Sequence, residues 1–174
     1  ITLFLLFITV SLTVLALDID NPVDRYKLRN QKLAELADAK TADDSIRLLY
    51  DAFDLASRRA NAKIGWQLLE TARRANNNYV VNDALRLIAN RYLENDSIQH
   101  VVMQMAVQLP DNELKRETIT FIKMLSTWSN ARKMSEKDRQ ITLQQMLSAF
   151  SNNQPRNLYD EIYLLHSVCV YLSQ

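Results

Sequence analysis

Glycine is almost absent from this chain: Gly65 is the only one among 174 residues, and it is accompanied by three prolines. Tight β-turns rely on glycine for backbone conformations with positive φ, so a sheet of many strands would require several glycines. Connections between helices can use Asn, Asp and Ser instead. The composition therefore predicts an all-α protein. It also excludes a glycine-rich loop in which several backbone N–H groups converge on a phosphate.

Apolar residues recur every three or four positions from Asn21 onward, which is the spacing of amphipathic helices. Short polar breaks divide this pattern into about eight helices, and short connections make consecutive helices antiparallel neighbours. The predicted helices cover about 22–39, 43–58, 61–75, 79–93, 96–109, 112–133 and 135–150, with a last one after the break at 152–155.

Asparagine marks two of the predicted helix ends. Asn21 followed by Pro22 is typical of a helix cap and a first-turn proline. The triplet 76–78 is three asparagines, and asparagine is the commonest residue after glycine to adopt the left-handed conformation that ends helices. The third helix is therefore predicted to stop there.

Two stretches of the chain are alike: DSIRLLYD at Asp44–Asp51 and DALRLIAN at Asp83–Asn90. Their offset of 39 residues is close to the length of one helix-turn-helix unit in solenoid proteins. Stacked units bury each helix on two sides, and the apolar residues of these stretches do lie on two sides. We therefore expect antiparallel helical hairpins stacked as a tetratricopeptide-like α-solenoid. An irregular helical bundle is the alternative.

Polar residues recur within the two similar stretches and give the candidate binding surface. Arg47 and Asp51 are one helical turn apart, as are Arg86 and Asn90, and Tyr50 stands beside the first pair. If the first helix of each unit lines the concave side, these residues form a polar ladder that contacts a partner. The alternative is an ordinary helix face with pairs spaced i,i+4.

The sequence offers no catalytic or metal-binding constellation. His100 and His166 lie far apart, and neither has a second metal ligand or a base at helical spacing. Cys169 is the one cysteine, which excludes an internal disulfide, and its apolar neighbours predict that it is buried. The formal net charge of +1 gives no sign of a nucleic-acid partner. We expect no catalytic residue and no cofactor in this part of the protein.

The apolar run Ile1–Leu17 contains no charged residue and ends at Asp18. It is slightly shorter than the roughly 20 residues of a membrane-spanning helix, and it suits the core of a secretory signal peptide. Val14 and Ala16 are small enough for cleavage after Ala16. An uncleaved membrane anchor and a buried core helix are the alternatives. The remaining residues, 18–174, form the helical domain. Its pattern runs to Gln174 without a capping residue, which predicts that the domain continues.

The residues after the apolar run Ile1–Leu17 resemble one family. SIRLLYDAFDLASRRANAKIGWQLLETARRANN and NDALRLIANRYLENDSI are similar to the N-terminal sensor region of membrane histidine kinases from Bacteroidetes. The resemblance implies a periplasmic array of tetratricopeptide-like helices ahead of a transmembrane helix and a cytoplasmic kinase core. It also implies that this fragment performs no chemistry and that a bound ligand changes how its helices pack.

These observations favour an exported binding module, with the input domain of a two-component histidine kinase as the first hypothesis. A freestanding periplasmic scaffold for protein–protein interaction is the second. An exported helical enzyme, with its catalytic residues outside this fragment, is the third. In the first two, a protein, peptide or small ligand binds in the concave groove. The N-terminal segment or a later membrane-spanning helix attaches the protein to the membrane, and the domain can form oligomers.

Overall fold

The structure is a computed structural model that describes residues 21–56, 58–151 and 157–173. This part of the chain is all-α, as the scarcity of glycine predicts, and no strand occurs in it. A 3₁₀ turn, Leu36–Asp38, follows the first helix. The helices are Pro22–Glu35 (α1), Ala42–Leu55 (α2), Arg58–Arg74 (α3), Asn78–Arg91 (α4), Asp96–Val107 (α5), Glu113–Lys133 (α6), Glu136–Ser151 (α7) and Leu158–Ser173 (α8).

Most predicted boundaries agree with these helices to within two or three residues. Two differ for local reasons. Helix α1 tightens into the 3₁₀ turn at Leu36 instead of continuing as an α-helix to Ala39. Helix α3 begins at Arg58, so Asn61 is an interior residue of this helix and the start predicted there is wrong.

Side-chain caps begin six of the helices. In each case an Asn, Thr or Ser oxygen accepts a hydrogen bond from a backbone N–H two or three residues ahead, which satisfies a group that the first turn leaves unpaired. The pairs are Asn21 with Val23 at 2.9 Å, Thr41 with Asp44 at 3.0 Å, Asn95 with Ile98 at 3.1 Å, Asn112 with Lys115 at 3.0 Å, Ser135 with Asp138 at 3.2 Å, and Asn157 with Asp160 at 3.0 Å.

The end of α3 confirms the prediction made from the asparagine triplet. Asn76 has φ 52°, the only positive value outside glycine in the described part of the chain. Its N–H donates to the Arg73 carbonyl at 3.1 Å, and the Asn77 N–H donates to the Ala72 carbonyl at 3.0 Å. This pair of bonds is the Schellman motif, which satisfies the last carbonyls of a helix.

The chain divides after Asn77 into two compact units. In the first unit α2 packs against both α1 and α3. Its core is made mainly by α2 and α3, which present their apolar residues at helical spacing. The buried residues are Ile46, Leu48, Leu49, Ala52, Phe53, Ala56, Ile64, Leu68, Leu69 and Ala72.

The second unit contains α4 to α8, and alternate helices contact each other in it. Helix α6 packs against α4 on one side and α8 on the other, while α5 contacts α4 and α6, and α7 contacts α8. The core between α4, α5 and α6 includes Leu85, Ile88, Val102, Ala106 and Ile122. A second cluster joins α6 to α7 and α8 and consists of Ala131, Val170 and Tyr171, flanked by Trp128, Met134, Leu143 and Met146.

Cys169 is exposed, so the prediction that it is buried is wrong. Helix α8 turns Ser167, Val170 and Tyr171 toward the core, and Cys169 lies on the opposite side of the helix. Apolar neighbours in sequence could not reveal this, because α8 is apolar on two sides.

No helix among the residues that the structure describes is both long and apolar enough to cross a bilayer. The segment Ile1–Leu17 and the proposed cleavage position at Ala16 lie outside the described residues.

Candidate functional site

A buried polar network joins α4 to α6 in the second unit. Asn82 is 1% exposed and Thr118 is 0% exposed. The Asn82 Nδ2 donates to the Asn78 carbonyl at 2.8 Å, and the Thr118 hydroxyl donates to Asn82 Oδ1 at 2.8 Å. The same hydroxyl accepts a bond of 3.1 Å from Arg86 Nε. Because polar groups buried without partners are costly, the network holds the two helices in one register.

Arg86 also pairs with Glu117 on α6, its Nη2 lying 3.0 Å from Glu117 Oε2. This predicted contact residue therefore uses its guanidinium inside the unit, between two helices. Asn90 lies one turn further along α4 and is exposed. Of the two predicted contact residues on α4, Asn90 is therefore the one that is exposed to solvent. It lies at the edge of a recess between α4, α6 and α8.

The recess has a volume of about 320 Å³ and opens between α4, α6 and α8. Seven residues line it, and most are apolar or aromatic. They are Asn90 from α4, Leu93 from the turn that follows, Phe121, Met124, Leu125 and Trp128 from α6, and His166 from α8. Concave sites with apolar walls and a few polar groups are typical of ligand-binding sites, and this volume is near the small end of their range.

Trp128 is held on more than one side. It packs against the cluster formed by Ala131, Val170 and Tyr171. The guanidinium of Arg132 lies 4.7 Å from the centre of its ring, within the range of a cation–π interaction. This side chain therefore offers the recess an aromatic wall with little freedom to move.

His166 is the one titratable group in the lining. Burial lowers the pKa of its imidazole below the ordinary value of 6.5, so the ring is neutral at pH 7. Its Nδ1 is buried without a hydrogen-bond partner among the described residues. The ring is positioned by its helix, which is tied to α6 by a 3.1 Å hydrogen bond between Thr127 Oγ1 and the Tyr163 hydroxyl.

This lining suits binding better than catalysis. It holds no carboxylate or thiol beside His166, so it offers no acid–base pair and no nucleophile. Across the residues described here, no cluster of three or more His, Cys, Asp or Glu could hold a metal ion.

Two of the three candidate residues of the first unit form ion pairs with other side chains. Arg47 is exposed and pairs with Asp44 at 3.7 Å, and Asp51 pairs with Lys32 of α1 at 3.7 Å. Tyr50 is half-buried. Each charge of the predicted i,i+4 pair is therefore engaged with another residue. The ladder that would join these residues to those of α4 stays a prediction.

The first unit also has an open groove of about 690 Å³, lined by Leu36, Ser45, Leu49, Lys63, Trp66, Gln67, Glu70, Thr71 and Arg74. Several of its polar groups are already satisfied. The Ser45 hydroxyl donates to the carbonyl of Thr41, the residue that caps its helix, and the Thr71 hydroxyl donates to the Gln67 carbonyl. Arg74 Nε donates to Glu70 at 3.0 Å. The recess of the second unit is the better candidate, because the Nδ1 of its His166 has no hydrogen-bond partner in the described part of the chain.

Sequence reasoning missed the main wall of this recess. Phe121, Met124, Leu125 and Trp128 are spaced i, i+3, i+4 and i+7, which is also the pattern of an ordinary core-facing stripe. The sequence cannot separate a stripe that is fully covered from one that borders a cavity. His166 gave no signal because its neighbours on α4 and α6 are distant in sequence.

Comparison with known proteins gives no family model, no curated protein and no solved structure that matches this chain.

Proposed function

We propose that this protein is a helical binding domain whose recess between α4, α6 and α8 receives an aromatic side chain of a protein or peptide partner. The observation that carries this proposal is the pairing of a Phe121–Trp128 aromatic wall with the neutral imidazole of His166, whose Nδ1 has no hydrogen-bond partner among the described residues. Such a pairing offers a large apolar contact and one group for hydrogen bonding, which are the two elements of most small binding sites.

The chemistry of the lining favours a phenol. Aromatic rings pack well against Phe, Trp and the sulfur of Met, and the recess contains Phe121, Met124 and Trp128. A neutral imidazole can accept a hydrogen bond from a hydroxyl group. The volume of about 320 Å³ suits one side chain or a small molecule of that size. A tyrosine side chain has both the ring and the hydroxyl.

We propose in addition that the helices stack as a tetratricopeptide-like array. The contacts of α6 with both α4 and α8 support this, because in such arrays the first helices of successive units pack on one another. The recess is lined from these alternate helices, which would place it on the concave surface.

As the biological setting we propose the periplasm, with this domain as the input module of a membrane histidine kinase. The support is the sequence resemblance together with the apolar run Ile1–Leu17. Fusion of alkaline phosphatase after Gln174 tests export, since that enzyme is active only outside the cytoplasm. We expect an active fusion that becomes inactive when residues 1–17 are deleted, and an inactive full fusion would contradict the setting.

The binding proposal can be tested with N-acetyl-tyrosinamide as the probe and the two indole N–H resonances as reporters. The chain has two tryptophans, Trp66 in the groove of the first unit and Trp128 in the recess. A Trp66→Phe variant assigns the two signals. We expect the probe to shift the Trp128 resonance in a saturable manner and to leave Trp66 unchanged. N-acetyl-aspartamide should shift neither. Equal shifts of both tryptophans, or no shift of Trp128, would contradict the proposal.

A further inference from the structure

Arg132 continues the aromatic wall of the recess by one helical turn. Phe121, Leu125, Trp128 and Arg132 follow one another on α6 at intervals of four, three and four residues, which places them on one side of the helix. Arg132 is exposed, and its guanidinium lies 4.7 Å from the centre of the Trp128 ring. A positive charge is therefore held beside a recess whose lining contains no carboxylate.

The guanidinium of Arg132 has no anionic partner in the described part of the chain. None of the ion pairs found there includes it, and none of its N–H groups donates to a described residue. By contrast Arg116, the other arginine of α6, lies 3.8 Å from an oxygen of Asp111. Contact with an aromatic ring uses none of the N–H donors of a guanidinium, which can still form two parallel hydrogen bonds with a carboxylate. Trp128 therefore positions Arg132 without occupying its donors.

The charges near Arg132 also favour an anion. Lys133 follows Arg132 in sequence, and its ammonium lies 3.0 Å from a carboxylate oxygen of Asp96, so the charge of this acid is already balanced. Glu94 comes one position after the lining residue Leu93, but it is exposed and is not part of the lining. A carboxylate that enters the recess beside Trp128 would therefore meet a cation without an acidic partner and no carboxylate in the walls.

We propose that Arg132 binds a carboxylate of the ligand whose tyrosine side chain occupies the recess. This inference rests on the proposed function and adds a second, charged element to the ligand. The phenol hydroxyl is directed to the buried Nδ1 of His166, so the backbone end of the tyrosine points toward the opening, where Arg132 is exposed. Arg132 lies about 6 Å beyond Trp128 along α6, at 1.5 Å per residue, so a carboxylate next to the tyrosine can reach it.

Two sources can supply this carboxylate, and the guanidinium recognises both through the same pair of hydrogen bonds. One is the terminal carboxylate of a chain that ends in tyrosine. The other is an acidic side chain next to an internal tyrosine. N-acetyl-tyrosine represents the first and N-acetyl-tyrosyl-aspartamide the second, while N-acetyl-tyrosinamide has the same phenol and no charge. The carboxylates of the two acidic probes are ionised at pH 7, well above their ordinary pKa values of about 4.

The dissociation constants of the three probes, measured at pH 7 from the Trp128 indole resonance, test the proposal. We expect at least one acidic probe to bind at least about threefold more tightly than N-acetyl-tyrosinamide, which is the scale of an exposed ion pair. The acidic probe that binds more tightly identifies the source of the carboxylate. An increase in salt from about 0.05 M to about 0.5 M should reduce the preference, because ions in solution screen exposed charges.

Arg132→Gln should remove the preference for the acidic probe and leave N-acetyl-tyrosinamide bound. Lys133→Gln is the matched control, because it removes the same charge one position away from a side chain that pairs with Asp96, and it should keep the preference. Equal affinities for the acidic and neutral probes, or a preference that survives in Arg132→Gln, would overturn the role of Arg132 while the recess remains a binding site. No shift of Trp128 with any of the three probes would overturn both proposals.

Discussion

The hydroxyl of Thr118 donates a hydrogen bond of 2.8 Å to the side-chain oxygen of Asn82, and neither residue is exposed to solvent. This contact joins α6 to α4, the two helices that supply most of the recess walls. With Arg86 and Glu117 it forms a network in which the buried hydroxyl both donates and accepts. The position of Phe121 and Trp128 relative to Asn90 therefore depends on polar contacts that lie outside the recess.

Replacement Thr118→Val should lower the free energy of unfolding by about 1–3 kcal/mol, because it removes the hydrogen-bond partner of the buried Asn82 Oδ1 and of the half-buried Arg86 Nε. Thr142→Val is the matched control. Thr142 is a half-buried residue whose hydroxyl makes an exposed hydrogen bond of 2.9 Å to the Asp138 carbonyl of its own helix. Its loss should cost less than about 0.5 kcal/mol. Urea unfolding followed by circular dichroism measures the free energy of unfolding of both variants. Equal losses in the two variants would contradict the role of the network.

His166 should make stability depend on pH. Burial lowers the pKa of the folded imidazole, while the unfolded chain keeps the ordinary value of 6.5. The unfolded state therefore binds more protons, so stability is full above pH 6.5 and falls as the pH is lowered through that value toward the folded pKa. His166→Gln removes the titrating group.

We expect the natural chain to lose more stability than His166→Gln between pH 7.5 and pH 5.5, as measured by urea midpoints. His100→Gln is the control, since His100 is exposed on α5 and its ring is 2.9 Å from Gln104. The His100 variant should keep the loss seen in the natural chain. A natural chain whose midpoint is the same at both pH values would argue against a buried, neutral His166.

Asn76 should tolerate glycine better than alanine. Its backbone has φ 52°, a conformation that costs residues with a Cβ atom about 1–2 kcal/mol, that asparagine adopts more readily than most and that glycine adopts freely. Asn76→Ala should therefore destabilise the chain by about 1 kcal/mol, whereas Asn76→Gly should be neutral or stabilising. Thermal unfolding of the three chains compares them, and an alanine variant as stable as the glycine variant would be inconsistent with the left-handed end of α3.

The hydroxyl of the bound side chain should matter to the recess. If it bonds to the His166 imidazole, N-acetyl-tyrosinamide should bind more tightly than N-acetyl-phenylalaninamide by about 0.5–1.5 kcal/mol. His166→Leu should abolish this difference while leaving the phenylalanine probe bound. Both affinities follow from the Trp128 resonance, and a preference for tyrosine that survives in His166→Leu would place the hydroxyl elsewhere.

Much of the fold could be predicted because its signals are local. The apolar spacing gave all eight helices, and Asn21 and Asn76 marked their ends through side-chain and backbone conformations that depend on a few neighbouring residues. The division into two units at Asn77 has no such signal, since it depends on which helices contact one another.

The recess could not be predicted for the same reason. Asn90, which stays a predicted partner contact, is among the lining residues, but the walls of the recess come mainly from residues that look like ordinary core. The sequence could not show that Arg86 is paired within the unit, because its partners, Glu117 and Thr118, are about thirty positions away. The exposure of Cys169 likewise depends on the side from which α8 is covered.

The affinity of N-acetyl-tyrosinamide for two single-site variants tests the central claim most directly. Asn90→Tyr adds a ring at the rim of the recess, and Asn130→Tyr adds the same ring at an exposed position of α6 that does not line it. Titration followed at the Trp128 resonance gives both dissociation constants. We predict that Asn90→Tyr weakens binding at least about tenfold, a change of 1.4 kcal/mol, while Asn130→Tyr binds like the natural chain. Equal affinities for the two variants would show that the recess between α4, α6 and α8 is not the binding site.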